Sequence, residues 1–589
     1  MNRISFWRSL ITAVAVTGTM AGCSGDLNVE NPNAPDAKRA FSDPGTVSAV
    51  VGGTIRQWVE ARQDQNSGLL LNTMADHNTA SWNNWNLRYY TSYGAECGQR
   101  CGWDNNVSSS FYCGSDGCQI EIFWYAYYGS LSAVNDALTA IRKNGLIITD
   151  VATTKMIETI SVMMQGITMG GIATNYDQGF IVDENTDLSD PLALPLKTRA
   201  EVRDAAIAKL DEAYNLAKAN TFTTPASWAG EVGGRSYTNQ DIARLIRTMQ
   251  AEILAQYPRN AAENGQVNWA QVRTYASQGL SSAGGSDFTI RVDNNGGAWT
   301  DGVKVWGNDP GTMRVDTRVA AVITDGPDPA KVHKTPWPEP NGNPQPNAYD
   351  KRVGDGSWGP EDDYLGHGGV AETANAGTDF AWFGSAFFRP ARGQYHQSNL
   401  ARIRYTYLTY AGYGLPGEDG VGQSPIITMA YNDLLWAEGE LRGGGSKATA
   451  AQLINKTRVG RGGLSALTGS ESDAVLLRAL QYEQTIETFD LGGVPFYNVR
   501  RVTPADYSST TNAGCPGLIC LWPDTPRHMP IPARELNVLK KEIYSFGGPS
   551  NPEQSPGVNG SVGAVKNVRQ IAAQIEKERM ARWNQRRKH

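Results

Sequence analysis

Histidine is scarce: the 589 residues hold six, at His77, His333, His367, His396, His528 and His589, and no two stand at metal-ligand spacing. The chain also lacks a His-Glu-x-x-His, a Gly-x-Ser-x-Gly and a Gly-rich phosphate loop ending in Lys-Ser/Thr. These absences argue against a zinc hydrolase, a serine hydrolase and a P-loop enzyme. Positive charge is not in excess either. The 53 Lys plus Arg are outnumbered by 59 Asp plus Glu, a net charge of −6, so there is no globally basic surface for non-specific nucleic-acid binding. Long apolar runs are missing, since no window offers the roughly 18 residues of a transmembrane helix. The 63 Gly and 29 Pro follow no strict repeat, and hydrophobic residues make up 40 % against 19 % charged. That composition describes a folded, loop-rich protein and excludes a collagen or a disordered chain.

The N-terminus carries Arg3 and Arg8 ahead of the apolar stretch Leu10 to Met20, too short for a span but suited to the core of an export signal. Met20-Ala21-Gly22 then precede Cys23, a string that resembles a bacterial lipobox. The resemblance implies a lipoprotein signal peptide over 1–22 and lipidation of Cys23. Ser24, where an Asp would favour inner-membrane retention, implies delivery to the outer membrane. Removing 1–22 takes away two cations and no acid, which moves the charge from −6 to −8. Residues 23–42, with Asn31-Pro32 and Ala34-Pro35, read as an extended lipidated tether.

Six cysteines follow Cys23 as three close pairs: Cys97 with Cys101, Cys113 with Cys118, and Cys515 with Cys520. An even count in an exported chain favours local disulfides. The alternative is a zinc site built from the first four, whose spacings depart from the usual two-residue knuckle.

Helical periodicity dominates from Asp43 onward. Val47, Val50, Val51, Ile55, Trp58 and Val59 share one face, and Trp124, Tyr127, Tyr128, Leu131, Val134 and Leu138 another. Further helices are predicted near 151–174, 199–218, 239–256, 267–281 and 426–441. Their apolar stripes need partners, and helix pairs supply them. The chain therefore divides into an N-terminal helical part over 43–283 that includes an aromatic, cysteine-bearing loop, an irregular loop-rich subdomain over 284–424 with short strands at most, and a C-terminal helical and closing-loop part over 425–562. A basic tail helix over 563–589 follows, with eight cations and two anions from Lys566 onward. Asp293-Asn294-Asn295-Gly296 reads as an Asn-Gly turn, not a cation loop, because the other ligands of a calcium loop are missing.

A saccharide presents C–H faces and hydroxyl edges, so a site for it wants flat rings beside short polar side chains. Asp76 to Trp103 supplies this mixture: Trp82, Trp85, Tyr89, Tyr90 and Trp103 are interleaved with Asn83, Asn84, Asn86 and Arg88. Each Trp has a second reading, as an anchor that pins its loop to the helices. The 16 Trp and 24 Tyr against six His favour stacking over acid-base chemistry. Two carboxylates alone can hydrolyse a glycosidic bond, so a surface glycoside hydrolase is one alternative, and a non-catalytic helical-repeat scaffold is another.

Several strings point to one family. The opening Cys23 to Pro35, Trp124-x2-Tyr127-x3-Leu131-x3-Asn135, Asp316-Thr317-Arg318, Ile426 to Leu441 followed by Ala451 to Leu464, and Arg527 to Asn537 resemble, in order, elements of the SusD/RagB family of outer-membrane nutrient-binding lipoproteins. Departures lie at Gln165-Gly166, at Tyr482 to Arg501 and in the basic tail. The resemblance implies an all-α fold of tetratricopeptide-like helix pairs with a long, irregular, ligand-facing subdomain. It implies a non-enzymatic protein without cofactor or metal that is lipid-anchored at the outer membrane, most simply at the cell surface. Its implied partners are an oligosaccharide or peptide ligand and a SusC-like TonB-dependent transporter. The residues expected to bind ligand are Asp76, Trp82, Trp85, Arg88, Tyr89 and Tyr90 from the early stretch, with Trp299 and Trp306 from mid-chain, where Trp358 and Trp382 are further candidates.

Overall fold

The computed structural model describes residues 41–80, 87, 90, 102–103, 105, 119–293, 301–308, 313–325, 350–353, 377–382, 398, 400–405, 421–509, 512 and 514–547. Cys23, the expected signal peptide over 1–22, the expected tether up to residue 40 and the expected basic tail helix over 563–589 lie outside the described residues.

Helix starts follow local capping chemistry. In α1 (Pro44–Gln63), the Asp43 carboxylate accepts the Thr46 amide at 2.7 Å and Pro44 occupies the first turn. After a π-turn at Gln65–Leu69 come α2 (Leu70–Met74), β1 (Asn78–Thr79) and α3 (Gln119–Leu138). Asp150 caps α4 (Val151–Asn175). Strands β2 (Gln178–Gly179) and β3 (Lys197–Thr198) pair antiparallel before α5 (Arg199–Ala219), which opens on a Thr198/Glu201 capping box. A second box, Thr238/Asp241, opens α6 (Asn239–Gln256), and α7 (Ala261–Asn264) and α8 (Trp269–Ser277) follow.

The middle of the chain holds β4 (Phe288–Asp293), α9 (Gly302–Gly307), β5 (Arg314–Val315), α10 (Thr317–Asp325), β6 (Phe380–Trp382), β7 (Leu400–Arg402) and β8 (Val421–Ile427). Helices return as α11 (Met429–Arg442), α12 (Lys447–Arg458), α13 (Asp473–Glu487), α14 (Val494–Val502) and α15 (Ala533–Val538). The predicted helix near 426–441 starts at Met429, because Ile426 and Ile427 complete β8 and Thr428 caps the Tyr431 amide at 3.0 Å. The predicted helix near 267–281 is the shorter α8, opened by an Asn268 cap on the Gln271 amide. Strand β4 pairs along its length with β8, so residues near 288 and 427 lie side by side.

The architecture is all-α in its core. Helices α1 and α3, α4 and α5, α6 and α8, and α11 and α12 form four successive packed pairs, each pair also touching the next, with α13 on the last. Close crossings need small residues. A Cβ on Gly166 would meet Leu210 Cγ at 2.5 Å, and one on Gly170 would meet Ile253 Cδ1 at 2.3 Å. The Gln165-Gly166 departure is thereby explained. Gly166 admits α5, while the buried Gln165 amide donates to Asn135 at 2.7 Å and Glu184 at 2.9 Å.

Buried arginines close the stack. Arg500 donates to the Thr174 carbonyl at the end of α4 (3.1 Å), the Gln256 carbonyl at the end of α6 (2.7 Å) and the Arg527 carbonyl (2.7 Å). Arg199 adds the Ala173 carbonyl at 3.3 Å and also reaches the Tyr257 carbonyl. Two helix C-termini, with their orphan acceptors and negative dipole ends, are thus met by guanidinium groups.

The mid-chain segments are held on α13 by a second set. Arg352 bonds Asp350 (2.8 Å), Glu483 (2.6 Å) and Glu487 (2.8 Å), all with side chains at most 1 % exposed. Arg402 joins Asp379 and Asp490, each at 3.2 Å, while Arg404 and Arg461 reach Glu487 and Asp379 from the rim. Removing Arg352 strips the buried Glu483 of the guanidinium that pairs it, while Glu487 keeps Arg404 and Arg461. Arg352→Met should therefore cost about 3–5 kcal/mol in urea unfolding. Arg56→Ala, whose partner Glu60 is solvent-exposed, should cost under ~1 kcal/mol. Similar losses for the two variants would show that the buried set does not hold the mid-chain.

Candidate functional site

Three of the eight expected ligand residues fall among those described, and the structure gives each its own surroundings. Asp76 follows α2 with φ 56° and a fully buried carboxylate, 2.6 Å from the Arg318 guanidinium. Tyr90 is buried with its ring centroid 5.1 Å from that of Trp103. Trp306 lies on α9, partly buried against the helical core. Trp82, Trp85, Arg88, Tyr89, Trp299 and Trp358 lie outside the described residues, as do Cys97, Cys101, Cys113 and Cys118. Trp382 is the last residue of β6. Cys515 and Cys520 form a disulfide with Cα atoms 5.7 Å apart.

The closing loop seats the far end of the aromatic stretch. Trp103 Nε1 donates to the His528 carbonyl at 2.8 Å, and the Trp103 amide to the Phe546 carbonyl at 2.9 Å. Asn105 donates to the carbonyls of Ile531 (2.8 Å) and Tyr544 (2.9 Å) and accepts from the Ala533 amide (2.7 Å). Gly102 has room for no side chain, since a Cβ would stand 2.2 Å from the Gly547 carbonyl oxygen. The loop-anchor reading therefore describes Trp103.

At the near end, His77 turns its ring toward Phe489, centroids 5.2 Å apart, and Nδ1 lies 3.2 Å from the Ala75 carbonyl. Burial holds the imidazole down at about 4, so it is neutral at physiological pH. It lines a cavity of about 20 Å³ with Gln484, Thr485, Thr488, Asn498 and Ile519, enough for a water molecule and far too small for a sugar ring.

Two pairs of neighbouring carboxylates among the described residues are committed to arginines. Glu483 and Glu487 share Arg352, and Glu158 and Glu184 share Arg142 at 2.9 and 2.8 Å. Such bonding suits structure and withholds both oxygens from a glycosidic bond. The buried Arg318 and the α13 carboxylates were not legible as site-forming groups in the sequence. The one signal was the Asp316-Thr317-Arg318 string.

No family sequence model matches the chain, and no curated protein matches it by sequence. Solved structures do: 52 chains match it. A SusD homolog from Bacteroides thetaiotaomicron aligns over 87 % of this chain and 98 % of its own, with a TM-score of 0.51 at 12 % identity. A SusD superfamily protein from Parabacteroides distasonis aligns over 84 % and 97 %, with a TM-score of 0.51 at 11 % identity. The chain thus shares the fold of these SusD-superfamily structures.

Asp177, beside this region, is buried with few donors. Tyr544 Oη stands 2.9 and 3.0 Å from its two oxygens, Gln178 Nε2 3.2 Å from one of them, and Arg259 acts at longer range. Burial pushes its carboxyl up to about 6. A carboxyl raised on folding favours the folded state below its unfolded value near 4, and that contribution is lost as pH rises through about 6. Asp177→Asn should therefore raise the thermal midpoint at pH ~7.5, an effect on the order of 2 kcal/mol, with no gain at pH ~4. A gain of equal size at both pH values would contradict this.

Proposed function

We propose that the protein is a lipid-anchored outer-membrane lipoprotein, held through Cys23, that captures oligosaccharides and delivers them to a SusC-like TonB-dependent transporter. The observation that carries the reading is the SusD fold, aligned over 87 % of this chain and 98 % of the Bacteroides homolog. The ordered family strings and the Trp82 to Tyr90 mixture of rings and amides add to it. Binding requires ring platforms beside amides, with the helical stack as a rigid base. The protein acts without catalysis, as a receptor whose anchor raises its effective concentration beside the transporter. The ligand face comprises Trp82, Trp85, Arg88 and Tyr89, with Trp299 and Trp306 from mid-chain. Asp76 and Tyr90, buried as they are, contribute from beneath.

Calorimetric titration of the mature chain against oligosaccharides chosen on a glycan array should give saturable heat without product formation. Trp82→Ala and Trp85→Ala should each weaken binding roughly tenfold, leaving the helical circular-dichroism signal intact. Unchanged affinity would defeat the site, and turnover of the sugar would favour a hydrolase. Detergent extracts should yield a large β-barrel bound to the protein, and its repeated absence would remove the transporter role.

A further inference from the structure

Three stretches of chain that are remote in sequence meet at one side chain. The fully buried Arg318 guanidinium, in the first turn of α10, donates through one nitrogen to Asp76 at 2.6 Å and through the other to Asn512 at 2.7 Å. Its carbon lies 5.6 Å from the Trp522 ring centroid. Asp76 leads directly into β1, which pairs antiparallel with β5 through Asn78–Val315 and Thr79–Arg314. The Asp316 amide donates to the His77 carbonyl at 2.9 Å, and Asp316 in turn accepts the Arg318 amide at 2.9 Å. Asn512 opens the disulfide loop, its carbonyl accepting the Cys515 amide at 3.1 Å.

This arrangement has a cost that simple packing avoids. Asp76 is held at φ 56°, a region that few non-glycine residues adopt, and both charges of the pair are out of water. What the arrangement supplies is direction. A guanidinium is a rigid planar fork, so two bonded arms fix the angle between their acceptors, which an apolar contact cannot do. Strain retained at a forked, buried pair marks a place where geometry matters more than stability.

We infer that Arg318 is a positioning residue. It locks residues 76–80, the β5–α10 segment and the disulfide loop into one joint on which the proposed binding face depends. The inference rests on the glycan-binding reading for its purpose, but the joint itself is testable without ligand. In hydrogen–deuterium exchange on the mature chain, Asn512→Ala removes one arm at a partly exposed position where folding should survive. It should speed exchange at residues 76–80 roughly fivefold, the consequence of losing one hydrogen bond, although Asn512 is bonded to Arg318 and not to that segment. Arg318→Lys, which keeps a charge for Asp76 but has no fork, should loosen 76–80 and 512–522 together, with α6 unchanged as an internal control. Changes confined to the neighbourhood of each substitution would overturn the joint. With maltohexaose or cellohexaose, whichever the array retains, Asn512→Ala, at a residue outside the proposed ligand face, should raise Kd several-fold, and an unchanged Kd would overturn the positioning role. If the wild-type chain binds neither sugar, nor any other on the array, the functional reading fails, while the exchange result still decides the joint.

Discussion

The mid-chain of this protein depends on buried guanidinium–carboxylate pairing. Residues 350–353, 377–382 and 400–405 include apolar members such as Val353, Phe380 and Ile403 and are tied to one another by the short β6–β7 ladder and by backbone bonds such as Asp379 to Arg352 at 3.0 Å and Ile403 to Asp379 at 2.9 Å. Their polar links to the helical stack run from Arg352 and Arg404 to Glu483 and Glu487 and from Arg402 to Asp490, beside the apolar contact of Phe380 with Phe489. Burial alone disfavours every one of these charges, and only mutual pairing makes them tolerable. That mutual dependence makes the arrangement specific. Displacing one of these described segments by one residue would strand several charges at once, a penalty that apolar packing alone would not impose.

The same logic operates at the ends of the helices. A stack of helix pairs needs apolar stripes and small residues at its crossings, and Gly166 and Gly170 supply the latter. It also leaves carbonyls unbonded wherever a helix stops inside the protein. Arg199 and Arg500 answer that need at α4 and α6, and Arg500 adds the Arg527 carbonyl, so the closing loop is tied to the helix ends it covers.

The helices were legible because their cause is local. The Val47 to Val59 face, the Trp124 to Leu138 face and the caps at Asp43, Asp150, Thr198 and Thr238 all act within a few residues. The start of α11 was not legible, since Ile426 and Ile427 continue the helical pattern and are claimed by β4, more than a hundred residues earlier in the chain. Asp76 shows the same limit at the site. In sequence it opens a run of rings and amides and reads as a ligand contact. Its partner Arg318 is 242 positions away, and the structure commits its carboxylate there. Glu483 and Glu487, spaced one helical turn apart, carry no sign in sequence of the arginines that bury them.

Fold retention at 11 to 12 % identity follows from this division of labour. A packed helix pair asks only for apolar residues of about the right size at the right period, a demand that very different sequences satisfy. The segments between helices carry no such generic code and must be placed by particular pairs, such as Asp76 with Arg318 or Arg352 with Glu483. A scaffold built this way separates two tasks. The stack is set by apolar packing between helices, and the described segments between them by charged pairs at their roots. A binding protein gains from that separation because its ligand face can diverge without reopening the core. An enzyme gains less, because its reacting groups must be held to within a fraction of an ångström by the surrounding packing.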